Sequence, residues 1–343
     1  MENIRSGQAY LYREGGIQST VIDIRMKDNI CGDSLTKGLN RTLLRYPYLT
    51  NKMKEQNGDF YLIENPLPFI IEETSKLHSL GSSKVNYHLI DVTYKDKQIK
   101  VAFHHGLCDG RGVKPFVETL LYYYCTYRYK NKFYVPDVRL AGEPLLPGET
   151  KEPFDGKKFD VGDTMLPKVT KDGYALPESI NQDGERKYYR YELNINHEKF
   201  INFAKEQKQE DVVKTNANNM AYLSDKLDEM DSYEAKKMMM SFFNNISLNT
   251  FIISYLGQTK LGDCEKYIDS MHMYSSGTNG LVMNMLSVGE YITIDFLQSF
   301  ETEIYRNAFI QAIEEAELDF NVSEKIEFKT PGDSNYNQAQ VVA

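Results

Sequence analysis

The four cysteines of this chain, Cys31, Cys108, Cys125 and Cys264, form no CxxC pair and no zinc-like spacing. Neither a disulfide framework nor a structural zinc site is expected, and reduced thiols fit best. An excess of basic charge is missing as well. Lysine and arginine number 40 against 49 acidic residues, for a formal net charge of -9. That balance argues against nucleic acid or an anionic membrane as the main partner. No apolar run is long enough to cross a bilayer, and the opening stretch MENIRSGQAYLYREGG lacks the apolar core of a secretory signal. A cytoplasmic, non-membrane protein is the expectation.

What remains is an ordinary globular composition: 343 residues, 41% hydrophobic and 26% charged, enough for one large or two medium domains. One stretch organises the rest. Ile99, Val101 and Phe103 share one parity of a strand, and Gln98, Lys100, Ala102 and His104 share the other. Successive side chains of a strand point to opposite faces, so His105 continues the apolar parity and His104 does not. Asp109 and Gly110 break the strand, after which Val113, Phe116, Val117, Leu120, Leu121 and Tyr124 recur at helical spacing. A histidine at the end of an apolar strand face, before a turn and a helix, is a common setting for chemistry.

The segment His104-His105-Gly-Leu-Cys-Asp109-Gly110 matches an HHxxxDG signature. On it the chain resembles the acyltransferase superfamily that includes chloramphenicol acetyltransferase, condensation domains and alcohol acetyltransferases, and the strand-before, helix-after context supports the match. Upstream, Asp33 or Ser34 caps a predicted helix carrying Leu35, Leu39, Leu43 and Leu44, and Pro47 follows its end. This run is similar to the first helix of condensation-type enzymes, with Tyr46 where they carry His in an Arg-His-Pro-like corner. The resemblance implies an α/β fold of two chloramphenicol-acetyltransferase-like halves. Each would be a mixed sheet flanked by helices, with an active-site tunnel between them.

Residues 1–134 are then expected to form the motif-bearing half, the Pro- and Gly-rich stretch 135–185 a crossover, and 186–343 the second half. Strands are expected at Ser19–Met26, Phe60–Ile63, Phe69–Glu72 and Val85–Thr93, the last joined to the motif strand through Lys95-Asp-Lys. The tyrosines from Tyr122 to Tyr129 read as a packed helix. In the second half, strands are expected at Lys187–Leu193 and Ser247–Leu256, helices at Phe200–Lys208 and 218–243, and a hairpin joins Leu281–Val288 to Tyr291–Phe296. A last helix turns Ile304, Ala308, Phe309, Ala312 and Ile313 inward, and the tail after Pro331 is polar. Superfamily members carry a further helix and strand after about residue 207. Here Lys205-Glu-Gln-Lys-Gln-Glu-Asp runs into a polar helix, so the second half is expected to be shortened.

Acyl transfer to a hydroxyl or amine requires a proton to leave as the nucleophile attacks a thioester, and a neutral imidazole with a pKa of ~6.5 suits that task. The superfamily's base is the second motif histidine, here His105, which strand parity also selects. His104 and Gly110 are structural. The resemblance makes Asp109 structural too, through an arginine partner for which Arg25 is the candidate; an N-cap role fits the local sequence as well. Gly110 and Gly112 permit tight or left-handed backbone. A metal on His104, His105 and Asp109 is not expected, because adjacent strand histidines diverge.

For an oxyanion donor, the strand end Ile253-Ser-Tyr-Leu-Gly257 is similar to the place where wax ester synthases carry Ser-Asn-Val-Pro-Gly. Plant members carry Asp-Phe-Gly-Trp-Gly, a form this chain cannot take because it has no tryptophan. Ser254 is the candidate, Tyr255 and Asn249 are alternatives, and a strand serine satisfied by backbone fits equally well. Arg111 and Lys114 are candidates for holding coenzyme A phosphates, against the plainer role of solvated charges.

The implied function moves an acetyl or short acyl group from acyl-CoA, as co-substrate, to a small alcohol or amine. No bound cofactor and a monomer are expected. A condensation-type enzyme fed by an acyl carrier protein, and a non-catalytic binding relative of the fold, are the alternatives.

Overall fold

The computed structural model of the protein describes residues 2–4, 19–57, 59–150, 187–205, 251–275 and 280–329, with 230, 232, 234–236 and 238. Most of the predicted helix 218–243, the stretch expected to be shortened, Asn249 and the tail after Pro331 lie outside the described residues. The first half contains β1 (Glu2–Asn3), β2 (Ser19–Met26), α1 (Gly32–Leu43), β3 (Lys52–Gln56), β4 (Asp59–Ile63), β5 (Ile71–Glu73), β6 (Ile90–Lys95), β7 (Gln98–His104) and α2 (Gly110–Tyr129). The second contains β8 (Lys187–Asn196), α3 (His197–Lys205), β9 (Phe251–Gln258), β10 (Ile268–Ser275), β11 (Leu281–Val288), β12 (Tyr291–Gln298), α4 (Ile304–Glu315), β13 (Phe320–Val322) and β14 (Ile326–Lys329).

These strands make a small sheet β1-β4-β3, a five-stranded sheet β10-β2-β7-β6-β5, and a six-stranded sheet β13-β8-β12-β11-β9 in which β14 also pairs with β8. Both large sheets are mixed: β5 runs parallel to β6, and β9 parallel to β11. This is the α/β architecture expected from the motif.

Strand parity sets the layers. In the five-stranded sheet Ile22, Ile24, Val101 and Phe103 pack with Leu35, Leu39 and Phe116 of α1 and α2. In the six-stranded sheet Tyr191, Leu193, Ile294 and Phe296 pack with Phe200 of α3 and Ile313 of α4. The two remaining faces are turned towards each other, and they are polar. Asp23, Lys100, His104 and His272 of one sheet and Arg190, Glu192, Thr293 and Asp295 of the other are all buried. Between the sheets lie also the apolar residues Val21, Leu80, Ala102 and Tyr274 with Val282 and Leu297, while Leu256, Leu286 and Val288 of the six-stranded sheet join the first core.

The join between the sheets is made by β10, which no expectation from the sequence included. It comes from the second half of the chain yet pairs with β2, His272 opposite Asp23. Its outer edge is satisfied by side chains of β12: Met273 N–H donates to Asp295 at 2.9 Å, and Thr293 Oγ1 donates to the Met271 carbonyl. An edge that would otherwise expose unpaired backbone groups is closed in this way.

Several element boundaries differ from the expectation. Cys31, not Asp33 or Ser34, is the N-cap of α1 and makes no side-chain cap bond; the Ser34 hydroxyl donates to the Cys31 sulfur instead. β6 starts at Ile90 rather than Val85, because Ser83–Val85 is a 3-10 turn and Asn86 and Tyr87 adopt left-handed backbone at φ 49 and 64°. β5 is displaced to Ile71–Glu73. On α4 Ile313 is buried and Tyr305, Phe309 and Ala316 pack partly buried beside it; Ile304 is 56% exposed, since it belongs to the neighbouring helical row.

The corner after α1 is locked by charge. Arg45, 1% exposed, donates to both carboxylate oxygens of Glu149 at 2.7 and 2.8 Å, and the Tyr48 hydroxyl donates to the same carboxylate at 2.9 Å. Tyr46 is equally buried and meets Thr119 of α2 through its hydroxyl. The Arg45 guanidinium holds the Glu149 carboxyl down at about 2, against an ordinary 4.5. A depressed carboxyl pKa contributes stability above the unfolded value and loses it as pH falls through the folded one. Glu149→Gln is therefore expected to lower stability at pH 7 by about 3 kcal/mol, because a buried cation loses its partner. It should also weaken the acid dependence between about pH 4.5 and 2. Urea unfolding of both proteins across that range measures this, and identical pH profiles would refute it.

Candidate active site

Strand β7 brings the motif to the sheet end and then turns. His104 is its last residue, paired with Ser19, and its N–H donates to the Leu89 carbonyl at 3.0 Å. Leu107 N–H closes the turn on the His104 carbonyl at 2.9 Å. Inside the turn, Gly106 N–H donates to His104 Nδ1 at 2.9 Å, so the neutral ring carries its proton on Nε2. A Cβ on Gly106 would stand 2.9 Å from both His104 Nδ1 and Met53 Cε; the close approach requires glycine. His104 is 1% exposed, and burial together with neighbouring His105 pushes its pKa down to about 4. It is a fixed, neutral element of the turn.

His105 stands one residue beyond the strand, its side chain open to solvent and its ring tilted against Phe103 at 5.8 Å between centroids. Surrounding protein nevertheless disfavours the charged ring and lowers its pKa, with the Asp109 carboxylate pulling the other way. The imidazole is neutral at pH 7. The six histidines differ in what holds their nitrogens. His78 lies between Asp91 and Glu72, His88 between the Thr50 and Leu67 carbonyls. His197 meets Tyr255, His272 meets Ser270, and His104 accepts from Gly106. Among the described residues nothing bonds to the ring nitrogens of His105, so this ring is left to accept a proton.

Asp109 is the N-cap of α2, its Oδ1 accepting from Gly112 N–H at 2.7 Å. The expected pairing with Arg25 is not formed. Arg25 projects from the opposite, inter-sheet face of β2 and is bound by both oxygens of Glu192 at 2.7 and 2.6 Å. Gly110 has no left-handed backbone. Its role is close approach, because a Cβ there would lie 2.6 Å from Leu256 Cδ1. Strand β9 is thus seated on the first turn of α2. Ser254 shares the parity of Leu256 and so lies on the face of β9 turned to the motif. Tyr255 has the other parity, and its hydroxyl meets His197 Nε2 at 3.3 Å and Ser287 Oγ at 3.1 Å.

Of the basic candidates, Arg111 is exposed on the first turn of α2. Lys114 is paired with Glu118 at 2.8 Å, and Glu118 also accepts from Lys260 N–H, which ties α2 to the chain after β9. The Cys108 thiol is raised by burial and stays protonated, so it is no nucleophile.

One further cluster, Glu192, His272 and Asp295, brings three potential metal-ligand groups within 4.8 Å of one another between the sheets. Its carboxylates are already committed: Arg190 lies 2.6 Å from Asp295 and 2.9 Å from Glu192, and Arg25 holds Glu192 from the other side. Two guanidinium groups on the same oxygens leave no room for a cation, and the cluster is an ion-pair network. Sequence reading passed over it because its residues come from three separate strands.

No family model matches the sequence, and no curated protein does. Solved structures do. Polyketide synthase associated protein 5 from Mycobacterium tuberculosis aligns with a TM-score of 0.51 at 9% identity, over 91% of this chain and 96% of that one. The nonribosomal peptide synthetase FmoA3, with alpha-methyl-L-serine-AMP bound, aligns with a TM-score of 0.52 at 11% identity, over 92% of this chain and 43% of that chain; this chain spans less than half of its length. Likeness at such identity concerns the fold alone. The chain shares the fold of these two proteins, and its mixed sheets flanked by helices are the α/β architecture expected from the motif.

The cap on α2 gives a test. Because Asp109 holds a backbone N–H and, among the described residues, no arginine, Asp109→Asn, which keeps a capping oxygen, should change stability by less than about 0.5 kcal/mol, whereas Asp109→Ala should cost about 1 kcal/mol. Urea midpoints of the two variants decide; equal, large losses would show that the negative charge itself matters.

Proposed function

We propose that this chain is an acyltransferase in which His105 is the general base. The observation that carries the reading is that His105 is neutral, accessible and unengaged at the end of the motif strand, while the other histidines are held by neighbours. A hydroxyl or amine of a small acceptor gives its proton to an unprotonated ring nitrogen of His105 as its oxygen or nitrogen bonds to the thioester carbonyl carbon. The resulting oxyanion collapses, the carbon–sulfur bond breaks, and the departing thiolate takes the proton back from the imidazolium. Ser254, on the motif-facing side of β9, is the proposed oxyanion donor. Acyl-CoA is the proposed donor. A second reading, a donor carried on an acyl carrier protein, draws support from the likeness to a nonribosomal peptide synthetase.

His105→Ala should lower transfer by ~10²–10⁴-fold without moving the melting temperature, since an exposed ring contributes little packing. Release of free thiol from acetyl-CoA, in the presence of a panel of alcohols and amines, measures the rate. A folded, active His105→Ala protein would exclude the proposed role. No turnover with any acyl-CoA, but turnover with an acylated carrier protein, would favour the second donor.

The pH profile follows from the same geometry. The base works unprotonated, and its pKa lies below the ordinary 6.5. The kcat/KM should therefore rise through an apparent pKa below 6.5 and be level through pH 7 to 8. A limb centred above 7 would require a different base or a cationic environment.

A further inference from the structure

The irregular stretch 74–80, which follows β5, is a strap laid across the inter-sheet side of the five-stranded sheet. Its place follows from register. Glu72 of β5 pairs with Thr93, which pairs with Lys100 and through it with Asp23. Asp91 pairs with Ala102 and through it with Val21. Strand alternation puts residues opposite one another, and those two apart, on one face. Glu72 and Asp91 therefore both point into the space between the sheets. Leu77 and Leu80 of the strap join the apolar cluster there, with Val21 and Ala102 of one sheet and Val282 and Leu297 of the other. Side chains tie the strap down: Lys100 Nζ donates to the Ser75 carbonyl at 2.9 Å, and Asp91 accepts the His78 N–H at 2.8 Å.

Beside these ties lies the His78 ring. Its Nδ1 stands 3.1 Å from an Asp91 oxygen, and its Nε2 stands 3.0 Å from a Glu72 oxygen. We propose that His78 is a pH-sensitive latch. As an imidazolium it bridges β6 and β5 and holds the strap closed over the inter-sheet space; on losing its proton it opens on the Glu72 side.

The geometry carries this. An ionised carboxylate only accepts, so each ring nitrogen needs a proton to bond its partner, and only the imidazolium has two. Asp91 is 2% exposed, and among the described residues no lysine or arginine lies within ion-pair distance of it. A buried carboxylate without a counter-charge is costly, and His78 supplies that charge. After deprotonation one N–H remains. The buried Asp91 retains it, and the lone pair on Nε2 then faces Glu72. The Glu72 side chain is 57% exposed and can turn to water. It also belongs to the edge strand of its sheet, so among the described residues no outer strand resists the movement.

The other charged groups around the strap have partners or positions of their own. Glu73 has the opposite parity and pairs with Lys95 at 3.5 Å, while Lys76 is exposed. Lys100 is bound to Ser75, and Asp23, Arg25 and Arg190 act on it from β2 and β8. Strands β10, β11 and β12 present Tyr274, Val282 and Leu297 to the cluster, and burial keeps the Tyr274 hydroxyl protonated. The hydrogen bond to Asp91 raises the His78 pKa above 6.5; burial opposes it, and Glu72 adds to the rise. A raised pKa gives stability that is complete below the ordinary value and is lost as pH climbs through the raised one. The latch is closed in acid and loosens with alkali.

The test uses the whole protein with His78→Gln and Glu72→Gln. An NMR titration of the ring should give His78 a pKa above 6.5, and a lower one in Glu72→Gln. Hydrogen exchange of peptides covering 74–80 is corrected for intrinsic pH dependence and compared with α1. Between pH 6 and 9 the wild-type strap should lose protection by about tenfold for each unit by which the His78 pKa exceeds 6.5. The His78→Gln strap should be less protected at pH 6 and level across the range. Constant wild-type protection, or a His78 pKa at or below 6.5, would overturn the inference. So would a loss that persists in folded His78→Gln, which would assign the effect to Lys100. An unchanged midpoint in Glu72→Gln also refutes the latch, and this variant decides alone if His78→Gln does not fold.

Discussion

The two large sheets are held together by charge that has been taken out of water. Arg190, 1% exposed, sits between Asp295 and Glu192, and Arg25 grips Glu192 from the neighbouring sheet. Asp23 and Lys100 complete a set of three carboxylates and three cations on the facing surfaces. Burial alone would push Asp295 up, but Arg190 and then His272 more than offset it, and its carboxyl ends below the ordinary range. Such a network adds little net stability compared with apolar packing, yet losing one partner strands a buried charge at several kcal/mol. Its value is in register. An apolar interface could slide by a residue, whereas here Asp295 must meet both Arg190 and the Met273 N–H.

That register governs the motif. β7 belongs to the five-stranded sheet, and its two faces serve different layers. Phe103 points into the helical core, while Lys100 and His104 point towards the polar interface. The chain then turns through a glycine whose Cβ would crowd the His104 ring, and His105 emerges past the last paired residue. Two adjacent histidines are thereby given opposite fates by one physical rule. The one inside the strand loses water and donor freedom, and the one outside keeps access while feeling enough of the protein to remain neutral.

Much of this was legible in advance because period-two alternation survives in β2, β6 and β7, and apolar spacing marks α1 and α2. Parity alone separated the two motif histidines, the buried His104 from the exposed His105. What could not be read was partner choice at a distance. Arg25 is as close in sequence to the motif as any arginine upstream of it except Arg41 and Arg45, and nothing local reveals that it faces Glu192, 167 residues away. The strand Ile268–Ser275 escaped for a related reason. Its alternation sets Met271 and Met273 against Ser270, His272 and Tyr274, which looks like a half-exposed segment when both faces are in fact buried. A polar residue buried against another sheet carries no signature of burial in its own sequence. Helix α4 was placed correctly and Phe309 and Ile313 pack inward as expected, whereas Ile304, Ala308 and Ala312 form an apolar row beside the one that packs.

The order in which the chain visits the sheets joins these points. β9 lies in the six-stranded sheet, β10 crosses to the five-stranded one, and β11 returns. The strand carrying Ser254 is consequently fixed twice: along its length by β11, and at Leu256 by the first turn of α2. The proposed base and the proposed oxyanion donor thus come from strands of different sheets. The polar interface relates the two sheets together with Leu256, Leu286 and Val288, which join the first hydrophobic core from the six-stranded sheet. A network of modest net stability is well suited to this task, for its geometry admits one arrangement of the sheets and penalises every other by leaving a charge unpaired.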